Sequence, residues 1–164
     1  IPLRLHRDYN VNPFSDVAIG NTPPVVKLGA SGPSIQGPVA LLTTAPAMTA
    51  SLDAPLTLTA SVEDDGKFAS GTMAPVRDGR SPVNLHWLKY RGPGTVTFDP
   101  ADPQLQVSKG GGVDEPFSAA GTTTAKFSAP GEYALMLLAT DFSGEGGNGE
   151  VCCWTNAYVK VSVK

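Results

Sequence analysis

The sequence predicts an all-β sandwich with an extended N-terminal arm, and three observations carry that reading. About seven short segments read as strands, the number from which small antiparallel sandwiches are built. The chain holds 18 glycines and 15 prolines in 164 residues, so turns are frequent, yet its 41% hydrophobic content is too high for a disordered linker. No segment keeps a helical period over three or four turns. A chain of this length is large enough for one sizeable core, and one domain with an arm fits it better than two.

Residues 1–22 form the arm. They mix Arg, Asp, Asn and Pro with isolated apolar side chains, among them Leu3, Leu5, Tyr9 and Phe14, which predicts an arm packed on its own domain or on a neighbouring chain. Pro23-Pro24 then opens VVKLG, a strand placed after a proline pair that cannot continue a helix. Residues 30–38 read as loop, and residues 39–51 as room for a short strand or two. LTLTASVEDDG follows Pro55; Leu56, Leu58, Ala60 and Val62 share one face and Thr57, Thr59 and Ser61 the other, the alternation of a half-buried strand. Loop 67–82 is long for a compact domain. Val83, Leu85 and Trp87 alternate with Asn84, His86 and Leu88, which turns the tryptophan inward. The RGPG turn leads to TVTFDP, and a second long loop is expected over 101–116.

FSAPGEYALMLLATD, residues 127–141, is the best candidate for the centre of the fold. Pro130-Gly131 presets a turn. Tyr133, Leu135, Leu137 and Ala139 face one side and Ala134, Met136 and Leu138 the other, so both faces are apolar and both are expected to be covered. Tyr133 stands where a tyrosine corner would bond back across a loop. In the closing strand, Ala157, Val159, Val161 and Val163 alternate with Tyr158, Lys160, Ser162 and Lys164.

The order of PPVV, LTASVEDDG, LHWLKYRGPGTVTFDP, TTTAKFSAPGEYALMLLATD and YVKVSV resembles the PKD-like and related bacterial immunoglobulin-like domains. The match covers residues 21–164, with loops 67–82 and 101–116 longer than a minimal module and the cysteine pair outside the pattern. The resemblance implies an immunoglobulin-like antiparallel β-sandwich that is non-catalytic and extracytoplasmic, in the periplasm or at a cell surface. Such modules act as spacers, adhesion units or contact surfaces in larger assemblies, and no catalytic residue is carried over.

The residues themselves offer little chemistry. The net charge of −3 and the lack of a basic stripe argue against a nucleic-acid surface. No apolar run approaches the roughly 20 residues that span a bilayer. The IPLRLHRDYN start lacks the apolar core of a signal peptide, and a start at Ile1 implies a processed chain or a piece of a longer one. His6 and His86 are the only histidines, which rules out a three-histidine metal site within one chain. No G-x-S-x-G elbow occurs, and Gly144–Gly149 precedes a strand rather than the helix a phosphate loop needs. For metal the candidates are Asp64, Asp65 and Asp141, with Glu63 beside them, as oxygen donors to calcium at strand ends; the competing reading is that Asp64-Asp65-Gly66 is an Asx-type turn and Asp141 caps its loop. Cys152 and Cys153 are adjacent and read as one buried and one outward thiol, a strained vicinal bond or an intermolecular one being the alternatives. Trp154, Tyr90 and Tyr158 are candidates for a carbohydrate-binding row. The leading expectation is a structural or interaction subunit whose partner contacts include Leu3, Leu5, Tyr9, Phe14, Met136 and Leu138.

Overall fold

The computed structural model describes residues 22–38, 45–66, 81–110, 115–141 and 153–164. Residues 1–21, nearly all of loop 67–82 and the Gly144–Gly149 turn lie outside the described residues, and with them Leu3, Leu5, Tyr9 and Phe14. Every regular element described is a strand. In chain order these are β1 (Val25–Leu28), β2 (Ile35–Gln36), β3 (Ala47–Ala50), β4 (Leu56–Asp64), β5 (Val83–Arg91), β6 (Val96–Asp99), β7 (Gln106–Lys109), β8 (Phe117–Phe127), β9 (Gly131–Asp141) and β10 (Trp154–Val163).

Two sheets pack face to face. The first has the order β2-β1-β4-β8-β6, with β7 also paired to β8; the second has the order β3-β10-β9-β5. All pairings are antiparallel except β3 with β10. The end of the sandwich at which β4 and β9 finish is called upper here; β10 starts there, with Trp154 opposite Thr140, and runs to the lower end, where Val163 lies opposite Gly131.

The period-2 patterns read from the sequence decide which face of each strand is buried. Leu58, Ala60 and Val62 of β4, Val83, Leu85 and Trp87 of β5, Tyr133, Leu135, Leu137 and Ala139 of β9, and Ala157, Val159, Val161 and Val163 of β10 meet in one core between the sheets. Trp87 is 1% exposed and stacks on Phe98 with ring centroids 6.2 Å apart. β9 is an interior strand, bonded on one side to β10 and on the other to β5.

The structure departs from the expected elements in two regions: residues 30–38, expected as loop, hold the two-residue strand β2 paired to β1, and the second departure spans residues 101–127. Residues 101–116, expected as loop, contain β7, whose four residues are all exposed. The segment leading to FSAPGEY is the 11-residue β8, the strand at the heart of the first sheet. β8 hides because its inward positions are mostly small: between Phe117 and Phe127 they are Ala119, Gly121, Thr123 and Ala125. Space is tight at Gly121, where a Cβ would come within 3.1–3.2 Å of the side-chain tips of Leu105, Leu85 and Pro103 and those tips would have to shift. Leu105 and Pro103 belong to the 101–105 segment, which crosses to the second sheet and covers the edge of β5, the strand of Leu85; the Trp87 amide donates to the Ala101 carbonyl at 2.9 Å.

Tyr133 is a tyrosine corner, as its place after Pro-Gly predicts. Its hydroxyl donates to the Ala129 carbonyl (2.7 Å) and accepts from the Gly94 amide (3.0 Å). The ring lies against Gly92, whose φ of 142° and whose missing Cβ, which would sit 2.1 Å from the ring, both demand glycine. Ser128 ties the same two loops, donating its amide to Thr95 O and accepting the Thr95 amide on Oγ. Tyr133→Phe removes a donor to one carbonyl and the acceptor for one amide, and is expected to cost about 1–3 kcal/mol. Urea unfolding checks this: the midpoint should fall with the slope unchanged.

Candidate interaction surface

The second sheet has an outer face that the alternation of β9 leaves apolar. Met136 lies directly between Tyr158 of β10 and Leu88 of β5, and one row higher Leu138 lies between Asn156 and His86. Met136, Leu138 and Leu88 are half-buried. Tyr158 is 6% exposed although it is not part of the core between the sheets. The sequence shows the apolar even positions of β9. It does not show that Leu88 and Tyr158 extend them sideways, because that depends on the register of three strands.

A bulge in β5 completes this surface. Lys89 opposes Leu135 and Arg91 opposes Ala134, so Tyr90 between them has no partner across the ladder. An extra residue of this kind re-aims its side chain. The Tyr90 ring meets that of Tyr158 edge to face, with centroids 5.2 Å apart and planes at 71°, and the Arg91 guanidinium stands 5.1 Å over the Tyr90 ring. Aromatic edge contacts and cations over rings are both favourable geometries. Tyr90 and Trp154, 41% and 39% exposed, are the exposed aromatics of the described residues. With Tyr90 edge-on to Tyr158, these two rings do not form a flat row.

The carboxylates singled out for calcium stand at the upper end. The Thr155 hydroxyl of β10 donates to the Pro24 carbonyl just before β1, and β1 pairs Val25 with Glu63; this brings the finish of β4 and the finish of β9 to one end of the molecule. Asp64 is 8% exposed and Asp141 1%. Asp64 Oδ2 accepts the Gly66 amide at 2.8 Å, the bond of an Asx turn, and Asp65 Oδ2 accepts the Thr22 hydroxyl at 2.8 Å. Among the described residues no three His, Cys, Asp or Glu side chains are grouped closely enough to hold a metal ion.

Cys153 is buried and disulfide-bonded, which corrects the expectation of free thiols. The other cysteine of the chain is Cys152, outside the described residues. The Cys153 carbonyl accepts the Asp141 amide at 2.9 Å, extending the β9–β10 ladder by one bond.

His86 is exposed, as an outward strand position predicts, and its Nδ1 lies 2.7 Å from Asp102 Oδ1. That contact belongs to the segment covering the β5 edge. Among the described residues Trp87 Nε1 is buried without a hydrogen-bond partner. No helix among the described residues is long and apolar enough to cross a membrane.

Burial, and second the neighbouring Tyr90, push the Tyr158 phenol above its ordinary value. In the unfolded chain the phenol ionises near pH 10, while the folded state still holds its proton, so unfolding releases a proton in that window and stability falls as pH rises. Melting curves across the alkaline range should therefore show a steeper loss for the native chain than for Tyr158→Phe. Equal slopes would mean that Tyr158 contributes nothing to the alkaline decline.

No protein-family model matches the chain, and a search of curated proteins finds no significant match.

Proposed function

We propose that the chain is a PKD-like, immunoglobulin-like module that works outside the cytoplasm as a non-catalytic structural or interaction subunit of a larger periplasmic, membrane-associated or cell-surface assembly. The observation that carries this reading is the outer face of the second sheet, where Met136, Leu138, Leu88 and Tyr158 join three strands into one apolar surface. Contiguous apolar patches on a protein surface mark interaction sites or ligand-binding grooves. The long loops and the apolar side chains of residues 1–20 add further contact area.

Three features support the fold assignment within this reading. With β2, β3 and β7 set aside as short additions, the remaining strands are arranged first-second-fifth-fourth in one sheet and third-sixth-seventh in the other, the order of the constant-type immunoglobulin sandwich. Trp87 lies in the core on the third of these strands, and Tyr133 makes the corner bond on the sixth. The disulfide at Cys153 agrees with an oxidising compartment. The edge-on Tyr90–Tyr158 pair gives the carbohydrate-binding alternative no observation in its favour.

Leu138→Asp tests the reading. The native protein, isolated gently from its own cells, should sediment as part of a larger assembly, and the variant should sediment as a folded monomer. Recovery of the native protein as a lone monomer would reduce the role to that of a spacer, and an unfolded variant would show that Leu138 serves the core.

A further inference from the structure

The bulge in β5 sets a cation and an aromatic ring at the lower rim of the second sheet's outer face. Lys89 opposes Leu135, a core residue, while Arg91 opposes Ala134, which points the other way. Arg91 therefore shares the face of Leu88, Met136 and Leu138, one row below Met136. Tyr90 and Arg91 are exposed, whereas Leu88, Met136 and Leu138 are half-buried and Tyr158 is buried. The rim thus presents Tyr90 and Arg91 to whatever approaches this face.

The two side chains are positioned in sequence. The Tyr90 ring rests edge to face on Tyr158, and the Arg91 guanidinium stands 5.1 Å over the Tyr90 ring. A guanidinium held this way is pre-organised, and its planar fork of N–H donors matches a carboxylate. No carboxylate among the described residues takes that fork. Glu63 and Asp102 are paired with Lys27 and His86. Glu132 is the one carboxylate at the described outward positions of β5, β9 and β10, and it turns toward β10 to accept the Ser162 hydroxyl at 2.6 Å.

Charge decides what kind of partner fits. Attraction to an anionic membrane or to nucleic acid takes several clustered cations. The outward positions of these three strands offer Arg91 and Lys160 besides His86, in a chain of net charge −3. One carboxylate among apolar side chains is the better complement. Tyrosine and arginine are also the residue types on which binding energy at protein interfaces concentrates.

We propose that the partner on this face is a protein segment carrying an Asp or Glu flanked by apolar side chains. Its carboxylate accepts the Arg91 fork, and its apolar groups rest on Leu88, Met136 and the Tyr90 ring. The proposal rests on the subunit reading above and names the partner's chemistry at that same face.

Release from the assembly isolated from the protein's own cells tests it. Arg91→Gln should dissociate roughly tenfold faster than the native chain, the worth of one hydrogen bond to a charged group. Arg91→Lys, which keeps the charge without the fork, should fall between them, and Arg91→Glu should sediment as a folded monomer. Added salt should speed release of the native chain and leave that of Arg91→Gln unchanged. Retention of Arg91→Glu in the assembly while Leu138→Asp is lost would overturn the carboxylate and leave the subunit reading standing. Retention of both variants, or a native chain that sediments alone, would overturn the proposal together with that reading. Binding to phosphatidylserine vesicles by the native chain but not by Arg91→Glu would overturn the protein segment in favour of a lipid surface. If Arg91→Glu fails to fold, Arg91→Gln and the salt series are read by the same criterion.

Discussion

The hydroxyl of Tyr133 holds together two of the three places where the chain passes from one sheet to the other at the lower end, the third being the step from β3 to β4. The turn after β5 carries the chain into the first sheet, and the corner after β8 carries it back into the second. One phenol bonds to both, at Gly94 and at Ala129. Ser128 and Thr95 lock the same pair of loops, and a side chain at Gly131 would strike Pro93. With these crossings fixed side by side, β5 and β9 enter their ladder in one register. The Trp87 ring and the Leu135 and Leu137 side chains then meet the first sheet as the core requires. The outer face inherits the same register, since the pleat sends every second residue of those strands the other way.

Much of this was legible in the sequence because the informative strands are amphipathic or wholly apolar. LTLTASV, VNLHWL and AYVKVSV declare their inner faces by alternation, and PGEYALMLLATD declares both faces by having no polar one. β8 was illegible for the opposite reason. FSAAGTTTAKF offers alanine, glycine and threonine where a strand at the centre of a sheet would be expected to show valine or leucine. At Gly121 in the middle of that face, Leu85 and the 101–105 segment leave little room for a side chain. β7 gives no signal at all, being exposed at every position.

The candidate surface was half legible. Met136 and Leu138 stand out as apolar residues on the wrong side of a core strand, but Leu88 and Tyr158 become their neighbours only through pairing that no local pattern encodes. The bulge at Tyr90 is still less visible, since it is a property of the β5–β9 ladder and not of either strand. The acidic EDDG run shows how local chemistry can stand in for a site: Asp64 spends one of its oxygens on the Gly66 amide to stop a strand. For the cysteines, adjacency argued against a bond on geometric grounds, yet Cys153 is in one.

The parallel pairing of β3 with β10 has a mechanical side. Both strands run toward the lower end, and β3 is reached from Thr22 through β1 and β2, whereas Lys164 leaves from the far end of β10. Tension drawn between Thr22 and Lys164 loads β1 against β4 first, and only once β1 and β2 have left the first sheet does it pull β3 upward against β10. The rungs between Ala47–Ala50 and Lys160–Val163 then bear the load sideways and together, not one after another as in a hairpin peeled from its end. Extension from the Thr22 side would therefore strip Val26 and Leu28 of β1 from the core first, and these four rungs form the second point of resistance.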